Sequence, residues 1–293
     1  MTVSDKTLLA HPVAQQRHTS LVRLQRFGGY VAMALAIFLV GLPVYWTVIA
    51  AFKESAEIYR IPPTWVPLEP TLENFSRAWQ AAPFGRYYIN SFLTTLGGTL
   101  AKVVLAVLSA YALAFLRFPR KDLVFLILLA GLMIPPEITI VPNYLTVGRL
   151  GWINTYAGII VPSAAVAYGT FLLRQAFLAL PFEVIEAARV DGASHMRILL
   201  SIVVPMAQPA IVTMALLALV ARWNDFLWPL LVTHTSDMRT LPIGIFWLRN
   251  SEGVINWGVV MAGSLFLIMP VLLVFLWLQR YIVDGIAAGA VKG

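Results

Sequence analysis

Lys102 and Glu137 are the only charges inside two long apolar stretches, Tyr87 to Leu116 and Leu123 to Gly148. An ionised side chain at bilayer depth costs about 2.5 to 3.5 kcal/mol on insertion scales, so both must face protein or water. Three kinds of chemistry are open to them: an ion pair between neighbouring spans or to a partner chain, a direct hydrogen bond to a polar solute, or ion binding by Glu137. We read them as structural charges in preference to solute contacts, since a neutral solute is also held by neutral hydrogen-bonding groups and aromatic faces. A second polar group, Trp223-Asn224-Asp225 with Trp228 and the helix-breaking Pro229, opens the short apolar run Phe226 to Ser236. Irregular backbone at such a point is tolerated where it lines a cavity. Trp223, Asn224, Asp225, Lys102 and Glu137 are therefore the candidate residues of a solute path. The alternative is that Asn224 and Asp225 merely cap a helix.

Other chemistry is excluded by what the chain lacks. It has no cysteine, hence no disulfide, thiolate metal site or cysteine nucleophile. His11, His18, His195 and His234 all fall outside the long apolar stretches. There is no zinc-type His-Glu-x-x-His pattern, no nucleophile set beside a base, and no phosphate-cradling Gly-x-x-x-x-Gly-Lys-Ser/Thr loop. The chain reads as a non-enzyme that binds no metal or cofactor of its own.

The elements that must position these residues follow from composition. With 59% hydrophobic and 12% charged residues and a mean hydropathy of +0.79, the chain is far from the roughly 25% charged residues of soluble domains. It reads as one all-α, polytopic membrane helix bundle. Crossing the hydrocarbon core takes about 20 apolar residues. Six stretches are long enough: Phe27 to Phe52, Tyr87 to Leu116, Leu123 to Gly148, Leu150 to Leu173, Ile198 to Ala221 and Gly253 to Gln279. Phe226 to Ser236 is too short to span and reads as a re-entrant or interfacial piece. Pro135-Pro136 marks a break in the third span. Residues 1–26 form an N-terminal tail, 27–280 the transmembrane domain and 281–293 a C-terminal tail. The first apolar run is longer than a signal-peptide core and should stay in place.

With the N-terminus inside, twelve of the 21 basic residues fall in inner segments. Eight fall in outer ones, Lys53 and Arg222 among them, and Lys102 lies within a span. That bias favours an N-in, C-in topology. The net charge of +7 is thus topological, and no nucleic-acid partner is expected. Trp46, Trp223, Trp228 and Trp277 lie near span ends, as an aromatic belt or ordinary packing would place them.

Between the fourth and fifth spans, residues 181–205 contain a short surface helix. Pro181 suits a first helical turn, and Glu183 and Glu186 lie early, where the helix dipole favours negative charge. Asp191-Gly192 is a stop, and Ser194 is placed to cap the next helix. Phe182, Ile185 and Arg189 follow at spacings of three and four, so one face can be presented to a partner while Ala187 and Ala188 allow close approach.

Glu186-Ala187-Ala188, Gly192, Ile202 and Pro205, at these spacings between two spans, resemble the EAA loop of binding-protein-dependent ABC importer permeases. Val204 replaces the leucine usual in that pattern. The resemblance covers nearly the whole chain after the first twenty or so residues. It includes Ala51-Phe-Lys-Glu-Ser-Ala-Glu-Ile-Tyr, Pro62-Pro-Thr-Trp-Val-Pro, Pro70-Thr-Leu-Glu-Asn-Phe, Asn90-Ser-Phe and Ile134-Pro-Pro-Glu-Ile-Thr-Ile-Val-Pro. Trp223-Asn-Asp-Phe-Leu-Trp-Pro-Leu-Leu and the ending Gly285-Ile-Ala-Ala-Gly-Ala-Val-Lys-Gly complete it. These motifs are similar to the smaller, six-span permease of carbohydrate importers of the maltose and glycerol-phosphate type.

What the resemblance implies is a cytoplasmic coupling helix carrying Glu186, Ala187, Ala188, Asp191 and Gly192, docked on a separate ATPase. The implied partners are a second, longer permease, two ABC ATPase subunits that bind the ATP and magnesium, an extracytoplasmic sugar-binding protein, the sugar and membrane lipid. The location implied is the bacterial inner membrane. A thin, flexible glycine-rich tail with Gly289, Val291 and Lys292 would reach the ATPases. Two rival readings stand beside this one. An ion-coupled secondary transporter would need carboxylates within its spans, and only Glu137 offers itself. An ABC permease for a non-sugar solute would share the loop but not the other motifs.

Overall fold

The computed structural model describes residues 12–164, 167–250 and 255–290, with side chains described within 26–277 except Asn250. Helix α1 (Pro12–Ala51) runs unbroken for 40 residues, so the segment expected as an N-terminal tail is helical from Pro12 onward. Its part Arg26–Ala51 is long and apolar enough to span a membrane. Beyond it a folded cap carries α2 (Ser55–Ile58) and α3 (Glu73–Ala81). Lys53, expected as an outer-loop charge, is fully buried here. Its ammonium donates to Thr64 O, lies 4.8 Å from the Trp46 ring centre and 3.9 Å from Glu57 Oε1. Asn74 closes the end of α1, its amide donating to Ala51 O at 3.0 Å and Lys53 O at 2.7 Å. Those carbonyls lie at a helix end, where no intrahelical donor remains.

Helix α4 (Phe84–Phe115) is the central span, 32 residues long and so about 48 Å at 1.5 Å per residue. Next come α5 (Lys121–Leu132) and α6 (Pro136–Arg149), bent by 99°. The bend falls at Pro135-Pro136, as the sequence predicts, because proline disfavours the helical conformation of the residue before it and lacks an amide donor. The fourth span, expected from Leu150, starts later. Gly151 and Asn154 take positive φ values of 69° and 62° and turn the chain before α7 (Tyr156–Ile160), a 3₁₀ turn at Pro162–Ala164, and α8 (Ala167–Leu178).

After α9 (Phe182–Val190) the chain enters α10 (His195–Ile198), a π-helical turn at Leu199–Val203, α11 (Val204–Met206) and α12 (Gln208–Trp223). The expected single span from Ile198 to Ala221 is instead bent by 82° between Met206 and Gln208, where Pro205 and Pro209 flank the break. Helix α13 (Leu227–Val232) is too short to cross a membrane, as predicted, and α14 (Leu241–Asn250) precedes α15 (Trp257–Ala290). Residues 281–290, expected as a flexible strand, continue α15, with Gly289 in the helix. Val291 and Lys292 lie outside the described residues. The described part of the chain thus has three continuous helices able to span and three bent pairs, up to six spans in all, and no strand.

Small residues set the packing. Helix α4 buries Ser91, Thr94, Thr95, Gly98, Thr99, Ala106 and Ala110 and packs along α8 and α12. Interfaces between spans use small side chains so that backbones approach closely. A Cβ at Gly169 of α8 would come within 2.3 Å of Met214 Cε and 3.1 Å of Ala106 Cβ. Ser109 and Thr170 share a hydroxyl hydrogen bond of 2.6 Å across the same seam. Helix α15 packs on α1, α3, α12 and α14, and Gly258 leaves room for Asn74, whose amide would sit 2.7 Å from a Cβ there. Asn74→Ala strips two buried carbonyls of their donor and should destabilise the cap by about 1 to 3 kcal/mol. A lower thermal midpoint of the purified complex in detergent would record it.

Candidate functional site

The loop after α8 is built as a helix with defined ends. Pro181 precedes α9 with φ −58° and ψ 117°. The end is closed by Asp191 N to Ala187 O at 2.9 Å, Gly192 N to Arg189 O and Ala193 N to Ala188 O at 3.0 Å each. Gly192 has φ 75° with open space around the position of a Cβ, so glycine is needed for its backbone angle, not for room. Ser194 Oγ accepts from Arg197 N at 3.4 Å and starts α10, as the spacing predicts.

The face expected to meet a partner is assigned differently by the structure. Ile185 is 0% exposed and Ala188 is buried, packed with Phe115, Phe177, Ile198 and Leu199 of the same chain. Arg189 donates to Phe115 O at 2.9 Å. Ile185 and Arg189 therefore anchor α9 to its own bundle. The outward face carries Glu183, Val184, Glu186, Ala187 and Val190, with Val190 88% exposed. The two alanines of the motif do different work: Ala188 fits the bundle and Ala187 faces out.

Arg189 is one of three cations gathered at the C-terminus of α4. Arg174 of α8 donates to Leu113 O at 3.2 Å, and Lys121 of α5 donates to Ala114 O at 3.0 Å and Leu116 O at 3.1 Å. The last carbonyls of a helix lack partners and carry the negative end of its dipole. Three charges counted as topological thus cap α4 and tie α5, α8 and α9 to it. Tyr111 Oη adds a 3.1 Å hydrogen bond to His195 Nδ1. Arg189→Met should cost about 1.5 to 3 kcal/mol, the worth of a charge-assisted bond, and loosen α9. Faster proteolysis within 181–194 in the otherwise assembled complex would measure that.

The polar residues of the spans meet partly. A cleft of about 500 Å³ is lined by Lys102 of α4, Glu137 and Asn143 of α6, Ser163, Asp225 and Trp228. No ion pair joins Lys102 to Glu137 among the described residues, so the expected intrachain bridge between spans two and three is not made. Asp225 is instead held by Arg222, Nη1 to Oδ2 2.9 Å. Arg222 is buried at 7% exposure, and its Nη2 donates to Ile159 O at 3.2 Å. Gly98 makes this possible: a Cβ there would lie 2.8 Å from Arg222 Nε. Arg222 reads from the sequence as an outer-loop charge. The Arg-x-x-Asp spacing across a helix end was the signal that could have revealed it.

Asn224 is exposed, its amide donating to Val220 O at 2.9 Å, so it caps α12 and stays out of the cleft. Trp223 points away as well. It is buried, with its indole N–H on Leu267 O of α15 at 2.9 Å, because successive helix positions differ by about 100°. Among the belt candidates, Trp223 is buried, Trp228 is half-buried at the cleft with its indole N–H bonded inside the protein, Trp46 lies under Lys53, and Trp277 is exposed. Asp225→Leu leaves the buried Arg222 charge without its partner and should destabilise by about 3 kcal/mol. Thermal unfolding of the purified complex tests this, and Asp225→Asn should lose less.

The chain matches the family described as binding-protein-dependent transport system inner membrane component over residues 19–287. It is 34% identical over 264 residues to the sn-glycerol-3-phosphate transport system permease protein UgpE of Yersinia enterocolitica, covering 88% of this chain and 94% of that one. The Escherichia coli UgpE is 35% identical with the same coverage. The fold of this chain is similar to that of a chain in the crystal structure of a bacterial ABC transporter involved in the import of the acidic polysaccharide alginate. There the TM-score is 0.80 at 22% identity, over 88% of this chain and 96% of that one. A chain from the bacterial alginate ABC transporter in complex with an alginate pentasaccharide-bound periplasmic protein gives a TM-score of 0.67 at 15% identity, over 90% of this chain and 97% of that one. The protein therefore belongs to the binding-protein-dependent transport system inner membrane components, and is a membrane permease subunit of an ABC importer, not an enzyme, with ATP hydrolysed by a separate ATPase.

Proposed function

We propose that this chain is the shorter permease of a carbohydrate importer in the bacterial inner membrane, oriented N-in and C-in, with α9 as the helix that engages the ATPase. The observation that carries this reading is the split character of α9. One face is locked to the bundle by Ile185, Ala188 and Arg189, and the other offers Val184, Ala187 and Val190 among Glu183, Glu186 and Asp191. Exposed apolar side chains on a rigidly held helix suit a protein partner. A movement imposed on α9 passes to the C-terminus of α4 through Arg189. Lys102 lies on that same helix 13 residues earlier, about 20 Å away along the axis. Rigid-body displacement of packed helices is a recognised means of switching access.

The remaining partners are a second, longer permease, a pair of identical ATPases that bind ATP and magnesium, and an extracytoplasmic sugar-binding protein. The carbohydrate class is supported by the fold shared with a chain of an ABC transporter involved in the import of the polysaccharide alginate, while UgpE is named for the transport of a phosphorylated polyol, sn-glycerol 3-phosphate. Lys102, Glu137 and Asp225 line this subunit's half of the path. The C-terminal end, with Gly289, Val291 and Lys292, contacts the ATPases. The ion-coupled alternative gives way to the family assignment.

Purifying the tagged chain gently from its native membrane and identifying what accompanies it tests the assembly. The expected result is recovery of an ABC ATPase and a second permease, with the ATPase reduced at least tenfold by Gly192→Leu or Glu186→Lys and the second permease retained. Recovery of the chain alone, carrying solute under an ion gradient, would overturn the reading.

A further inference from the structure

The cleft contains polar groups that the chain itself leaves unused. Trp228 is pinned by its indole N–H on Gly158 O at 3.0 Å, which leaves ring surface to line the cleft. Ser163 Oγ is bonded to the carbonyls of Ile159 and Ile160 at 3.0 and 2.9 Å. Asp225 is held from behind by Arg222. Among the described residues, however, the side chains of Lys102, Glu137 and Asn143 make no hydrogen bond or ion pair with the rest of the chain. An ammonium, a carboxylate and an amide at span depth, converging on one cavity, call for something that can both donate and accept.

The charge balance narrows what that is. Arg222 offsets Asp225, and Lys102 offsets Glu137, so the four formal charges around the cleft cancel. A phosphate or a uronate would gain Lys102 but meet two carboxylates. A cation would gain Glu137 but meet Lys102. A solute rich in uncharged hydroxyls meets no such conflict. Its oxygens accept from Lys102 and Asn143, its O–H groups donate to Glu137 and Asp225, and its C–H surface lies on Trp228. The volume of about 500 Å³ falls within the roughly 300 to 1,000 Å³ of small-molecule sites.

Building on the importer reading above, we infer that this subunit itself holds part of the cargo. The Lys102–Glu137–Asn143–Asp225–Trp228 cleft is a subsite for an uncharged polyhydroxylated solute, a neutral sugar, and not for the anionic solutes named for its relatives. Lys102 and Glu137 are then specificity-determining residues, not a structural bridge.

The test uses the complete importer, co-purified with its partner subunits and reconstituted into proteoliposomes with its binding protein. ATP-driven uptake is measured for glucose, maltose and trehalose, and for sn-glycerol 3-phosphate and alginate oligosaccharide. Saturable uptake of a neutral sugar is expected. Lys102→Gln, Glu137→Gln and Asn143→Ala should each raise its KM or lower its uptake at least tenfold, with the complex assembling in wild-type yield. Three outcomes would overturn the inference: uptake confined to the anionic solutes, full neutral-sugar uptake in all three variants, or loss of the partner permease from the Lys102 and Glu137 variants, which would make those residues an intersubunit bridge. Failure of any ATPase to co-purify with the unmodified chain would instead sink the importer reading beneath it.

Discussion

A helix that ends inside a bundle presents carbonyls with no donor, and at the C-terminus of α4 this need organises the protein. Leu113, Ala114, Phe115 and Leu116 receive hydrogen bonds from Arg174, Lys121 and Arg189. Each cation arrives from a different element, so satisfying one helix end fixes the positions of α5, α8 and α9 together. The helix dipole adds to the attraction. Because α9 is held on α4, and not on a flexible linker, its position is fixed relative to that span. Ile185 and Ala188 complete the joint by filling the gap beside Phe115 and Phe177.

The same requirement explains where the bundle is broken. In hydrocarbon, freed backbone groups must find partners within the protein. The carbonyls of Gly158 and Ile159, where α7 gives way to a 3₁₀ turn, are met by Trp228 Nε1 and Arg222 Nη2. These bonds draw the α12–α13 junction against α7 and leave Asp225 and the Trp228 ring at the cleft wall. Gly98 is small so that the Arg222 guanidinium can lie against α4. The opening between α4, α6 and α13 therefore follows from how the helix breaks are satisfied. In the cap that follows α1, Asn74 does for α1 what Arg222 does for α7, closing a helix end from another element.

Local pattern carried much of this. Apolar run length distinguished spans from the short Phe226 to Ser236 run, and Pro135-Pro136 announced the 99° bend. Pro181 and Asp191-Gly192 marked the ends of α9, and Ser194 the start of α10, because capping and left-handed backbone are decided by neighbouring residues. The 82° bend near Ala207 was less legible, although Pro205 and Pro209 bracket it, because proline within an apolar run is often accommodated by a modest kink. The late start of α7 depended on Asn154, whose side-chain oxygen accepts from the backbone of His234 and Thr235 some 80 residues away.

By itself the sequence determined an all-α membrane bundle, a capped helix between the fourth and fifth spans and the family to which both belong. These follow from hydrophobic run length and from residues close together in the chain. Only the tertiary structure decided which face of α9 is free, that Lys53 and Arg222 are buried, that Lys102 and Glu137 line a cleft without bridging it, and that Trp223 is packing. The physical reason lies in contacts between elements far apart in the chain. A side chain's surroundings depend on what folding brings against it: Thr64, Ile159 and Phe115 come to Lys53, Arg222 and Arg189 that way, as Leu267 does to Trp223, and only the pairing of Arg222 with Asp225 is written in the spacing along the chain.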